Sequence, residues 1–84
     1  MAGPTQAQHR WMHVLWRLAG VTSRVDRLAL TSRAVGRRLV SSTEMTEGEA
    51  AQLIHYMRGL DDRGALYSSA QGWLATVRAE VAAS

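Results

Sequence analysis

Apolar residues recur at helical spacing along most of the chain, and no alternating apolar–polar run lasts long enough to make a strand. The pattern predicts four helices with short connections. The first runs roughly from Thr5 to Ala19. At 100° per residue, Val14, Leu18, Trp11, Leu15, Ala19, Met12 and Trp16 share an arc about 200° wide, and His9, Arg10, His13 and Arg17 fill the rest. A surface helix needs a narrower stripe. This helix is therefore either central to the core or leaves an aromatic edge for a partner, and Trp16 is the residue at the edge nearest His9. Gly20 is expected to end it in a left-handed conformation. The second helix starts at Ser23, with Asp26 three residues on. Its buried stripe is expected to be Val25, Leu28, Ala29, Ser32 and Val35, with Gly36 as the stop and Leu39 and Val40 returning to the core.

The third helix has the clearest pattern. Thr46 and Glu49 have capping-box spacing, and Ala50, Leu53, Ile54, Met57 and Leu60 follow at helical intervals. Its end is expected between Gly59 and Gly64. A fourth helix, over about 69–83, is expected to start from Ser68 or Ser69 and to bury Ala70, Trp73, Leu74, Val77 and Val81. Gly72 in its first turns opposes it by about 1 kcal/mol. The fold class is all-α: a compact bundle of three core helices plus a C-terminal fourth, one domain over 1–84 with its core in 5–60.

Composition adds limits. With 84 residues there is room for a single core, burying only about 60% of the unfolded surface. Phe is absent, so Leu, Val, Met and the three Trp must fill it. The absence of cysteine excludes disulfides and thiolate zinc sites. The longest apolar runs are two or three residues, too short for a membrane span, and the first residues lack a signal-peptide pattern. The expected location is the bacterial cytoplasm.

Charge separates the two halves. Residues 1–40 carry seven arginines against Asp26, a net +6, whereas residues 41–84 carry three arginines against six carboxylates, a net −3. All ten basic side chains other than histidine are Arg, and Lys and Asn are both missing. A GC-rich coding sequence produces that bias, which suggests an actinobacterial host or its phages. The basic half still points to an anionic partner. Arg24, Arg27, Arg33, Arg37 and Arg38 lie on the expected outer side of the second helix, and Arg24, Arg27, Arg37 and Arg38 are expected to hold the ligand, with Arg17 and Arg33 at the margin. DNA phosphates are the expected ligand, and the bland alternative is a solvated face inflated by codon usage. A second reading uses Trp11, Met12 and Trp16 as an interface for a host transcription or replication factor, supported by acidic Glu44, Glu47 and Glu49. A homodimer is compatible with either reading.

Chemistry has little to work with. His9 and His13 have the i, i+4 spacing of metal ligands, but a third ligand is missing and His55 lies on another helix. The serines fall at caps and connectors, and Asp61-Asp62 suits a solvated turn. No phosphate-binding glycine loop is present. The chain is expected to be neither an enzyme nor a cofactor or metal binder.

One resemblance bears on these readings. His13-x-Leu15-x-x-Leu18, Gly20-Val21, Gly36-Arg37 and Ser41-Ser42-x-x-Met45-Thr46-x-x-Glu49-Ala50-x-x-Leu53-Ile54 resemble the GemA-type regulatory proteins of Mu-like phages. They are also similar to short helical modules of small actinobacteriophage proteins and phage recombination proteins. The likeness covers about residues 9–60. It departs at Met45, where Leu is usual, and in the C-terminal helix. It implies phage DNA metabolism or modulation of host gene expression, with no catalytic residues.

Overall fold

A computed structural model describes residues 3–83. Four α-helices follow in order: α1 (Gln6–Leu18), α2 (Arg24–Val35), α3 (Glu47–Asp62) and α4 (Leu66–Ala83), with a 3-10 turn at Ser42–Glu44 before α3. There is no strand among the described residues, and none of their helices is long and apolar enough to cross a membrane. The fold is an all-α bundle.

Local chemistry sets the helix ends. Thr5 and Gln8 cap α1 reciprocally: each backbone N–H donates to the other's side-chain oxygen, at 2.9 and 3.1 Å. Thr46 and Glu49 do the same for α3 at 2.8 and 3.0 Å, as their spacing predicts. Ser23 accepts only the Asp26 N–H, at 3.4 Å, so α2 starts on a weaker cap. Gly20 follows α1 with φ +74°, and a Cβ there would lie 2.5 Å from the Tyr67 ring. That close approach seats the start of α4 against the end of α1, where the Gln71 amide donates to Ala19 O at 3.0 Å.

The core is continuous through all four helices. Met12, Leu15 and Trp16 of α1 and its C-cap Ala19 join Ala50, Leu53, Ile54, Met57 and Leu60 of α3, Leu30 of α2, and Leu66, Ala70 and Leu74 of α4 in one cluster. α4 is thus part of the core and begins at Leu66, earlier than the serines suggested. Ser68 and Ser69 lie inside it, and the Ser68 hydroxyl donates to Ala65 O. Val81 is exposed. Leu39 returns to the core as expected, but Val40 does not.

The expected stripe of α2 holds in part: Leu28, Ala29, Ser32 and Val35 are half-buried and Val35 packs against the core, but the most buried face is rotated from it. Leu30 and Thr31 are its buried residues, and Val25 is 75% exposed. Thr31 tolerates burial because its hydroxyl donates to Arg27 O at 2.7 Å, so no polar group is left unpaired. Three surface ion pairs accompany this orientation. Asp26 accepts from Arg78 at 3.1 Å, Arg33 pairs with Glu80 at 2.5 Å, and Arg37 pairs with Glu49 at 2.6 Å. The first two tie α2 to α4 and the third ties its C-terminal end to α3.

Glu44 and Glu49 serve the fold internally. Glu44 accepts the Val40 and Ser41 N–H groups, and these bonds hold its carboxyl below the ordinary value of 4.5. Glu49 is lowered by the Thr46 N–H first and by Arg37 as well. Lowered folded-state values stabilise the fold above the unfolded pKa, and that contribution is lost as pH falls through the folded pKa. The thermal midpoint is expected to drop as the pH is taken below about 4.5. Glu44→Gln and Glu49→Gln should lower the midpoint at neutral pH and flatten the acid decline. A wild-type decline that neither substitution alters would assign the acid sensitivity to other carboxyls.

Candidate nucleic-acid interface

α1 and α2 are separated on one side by an open cleft of about 160 Å³. The i, i+4 spacing of His9 and His13 brings both imidazoles to its α1 wall, just past the buried face carrying Met12 and Trp16. The rotation of α2 supplies the opposite wall: Arg24 and Arg27, one turn apart, with Leu28 and Thr31 below them. Met45, which is buried, and Ser42 of the 3-10 turn complete its lining. No carboxylate is among the residues lining this cleft.

The arginine geometry favours an anion. Arg27 is half-buried, and one of its guanidinium nitrogens donates to Thr22 O at 3.4 Å, which leaves its other donors available. Arg24 is exposed as the first residue of α2. The free N–H groups and dipole of that helix end add positive potential at this position. Two fixed-charge side chains, two imidazoles and a hydroxyl around a small opening suit a phosphate group.

The six arginines expected to form one face do not do so. Arg24 and Arg27 share the cleft. Arg33 and Arg37 are engaged by Glu80 and Glu49, because α4 and α3 place carboxylates beside the outer edge of α2. Arg37 also donates to Glu44 O at 3.0 Å. Arg38 is exposed beyond the Gly36 cap, and Arg17 lies with Val14 and Leu18 at a different surface. His13 is exposed as expected and His9 is half-buried, and both line the open cleft. Their shared helix face was visible in the spacing, but the neighbouring arginines depended on how α2 is rotated.

The expected protein interface also changes. Met12 and Trp16 are each 5% exposed and belong to the core, since α3 packs over that part of α1. The exposed edge is the opposite one, where Trp11 is open and the Arg58 guanidinium lies 4.5 Å from its ring centroid. The acidic patch is reduced too, since Glu44 and Glu49 are committed to caps and to Arg37.

A second groove, of about 300 Å³, lies between α2, α3 and α4. Trp16, Tyr56 and Trp73 line it, with Tyr56 and Trp73 stacked at 6.0 Å. Its charged residue is Arg33, already bonded to Glu80, so it offers an anion less than the cleft does. Among the described residues, no three His, Cys, Asp or Glu side chains come together as metal ligands. No family model matches the chain, and no curated protein or solved structure is significantly similar to it.

Proposed function

We infer that this chain is a small, non-enzymatic accessory protein that binds DNA by taking a backbone phosphate into the α1–α2 cleft. One observation carries the reading: Arg24, Arg27, His9 and His13 converge on a concave surface that no carboxylate lines. The bonded guanidinium groups of Arg33 and Arg37 are excluded from this role. Arg24 and Arg27 hold the phosphate oxygens, the imidazoles flank them, and the Ser42 hydroxyl is a further donor. The resemblance of residues 9–60 to GemA-type phage regulators fits an accessory role in phage or prophage DNA metabolism. Bacterial cytoplasm is the matching location.

The cleft predicts a distinctive salt response. Each phosphate neutralised contributes about −0.9 to the slope of log K against log salt, so a single phosphate held in the cleft gives a slope near about −1. A face of six arginines gives a slope of roughly −5. Fluorescence anisotropy with a labelled duplex, titrated between about 50 and 200 mM salt, reads this directly. Binding that is absent at low salt, or indifferent to salt, sinks the DNA reading. A slope near −5 keeps DNA as the ligand but removes the cleft as its seat.

A further inference from the structure

We propose that the outer face of α1 is a docking surface for an acidic amphipathic helix of another protein. Trp11, Val14 and Leu18 lie at i, i+3 and i+7 and form one row along α1. They are 45%, 47% and 51% exposed, an apolar ridge that the chain's own core leaves half open. This row is about 150° around the helix from His9 and His13 at 100° per residue. The ridge and the cleft therefore point in different directions, and occupying one leaves the other accessible.

Charge selects the occupant. Arg17 shares a shallow depression with Val14 and Leu18, and Arg58 reaches across from α3 to cover the Trp11 ring. Arg10 is exposed one residue before Trp11, and Arg17 follows it two turns later on the same side of α1. An apolar ridge flanked by cations complements an apolar row flanked by carboxylates. Trp and Arg together are also the residues that most often dominate interface energies. The i, i+3, i+7 row matches the anchor spacing of a helix laid alongside.

A second copy of this chain is a poorer occupant. It would bring its own Arg10, Arg17 and Arg58 against the same cations. Three half-exposed side chains also fall far short of the roughly 800 Å² per partner of a stable interface. A contact this small suits a reversible association in the micromolar range. With the cleft on another side of α1, the chain has the layout of an adaptor, though the docking surface does not depend on the DNA reading.

The test uses the full chain and a fluorescein-labelled synthetic peptide with leucines at i, i+3, i+4 and i+7 and glutamates elsewhere. A second peptide carries lysines in place of the glutamates. The glutamate peptide is expected to bind at least about tenfold more tightly. Trp11→Ala and Leu18→Glu should each weaken it about tenfold or more, with the helical circular dichroism retained and the thermal midpoint lowered by only part of the Leu15→Ala loss, because both side chains are half-exposed. The Arg24→Glu/Arg27→Glu variant should alter peptide affinity far less than either. Equal affinity for the two peptides, no binding, or indifference to Trp11 and Leu18 overturns the proposal. Sedimentation showing a dimer that Trp11→Ala dissolves would assign the ridge to a second copy and overturn it too. A failure of DNA binding in the same preparations would leave this result standing.

Discussion

Leu15→Ala is expected to cost about 2–5 kcal/mol and to lower the thermal midpoint by about 8 °C or more, on a scale of about 4–8 °C per kcal/mol for a domain of this size. Leu15 is 1% exposed, at the centre of α1's buried face, where it joins the cluster formed with α3. Truncation removes its transfer free energy and leaves a cavity that rigid helices on both sides fill poorly. A chain of 84 residues has a total stability of roughly 4–13 kcal/mol, so the loss is a large fraction of what holds it folded. The neighbouring residue provides the control. Val14 is 47% exposed, and Val14→Ala should cost no more than about 0.5 kcal/mol. Urea melts followed by tryptophan fluorescence distinguish the two. Equal losses would mean that the faces of α1 are not divided as described.

The contrast between those adjacent residues shows what the sequence could reveal. The apolar arc of α1 was legible, and so was its excess width. Which edge would be left open was not, because that depends on where α3 packs. The structure covers Met12 and Trp16 and leaves Trp11, Val14 and Leu18 out. α3 was readable almost residue by residue, since its capping box and its apolar row agree. In α2 the local signals are weak: one one-way cap, many arginines, and a Thr that is buried only because Arg27 O accepts its hydroxyl. Its orientation follows from burying Leu30 against the core and from ion pairs with Arg78, Glu80 and Glu49, all distant in sequence. No local pattern encodes such long-range pairs. α4 was foreseen, but its start was displaced because Ser68 and Ser69 look like caps and instead sit inside the helix.

The same long-range pairs decide the size of the candidate site. A basic half was evident from charge counting alone, yet counting treats every guanidinium as free. Two of the six arginines are engaged by carboxylates of the acidic half, so the two halves partly neutralise each other in the fold. The concentration of positive charge survives where α2 turns toward α1. Two histidines that carry no formal charge in the count join it there.

Reversing Arg24 and Arg27 together to Glu is expected to weaken duplex binding by at least about a hundredfold. Hydrogen bonds to charged groups contribute about 1.5–3 kcal/mol each, so losing two amounts to roughly 3–6 kcal/mol before repulsion is added. Arg27 also touches Thr22 O, so Arg24→Gln alone serves as a milder variant that leaves that bond intact. It should weaken binding about tenfold or more. Arg33→Gln and Arg37→Gln should behave in the opposite way. Their guanidinium groups already face Glu80 and Glu49, so their loss should act on stability while affinity stays within a few fold. Surface pairs of this kind contribute at most about 1 kcal/mol, so both variants remain folded and can be assayed. Affinity that falls as far with Arg33 and Arg37 as with Arg24 and Arg27 would place the DNA along the outer edge of α2. In that case the phosphate would have to displace two carboxylates, and the cleft would have no part in holding it.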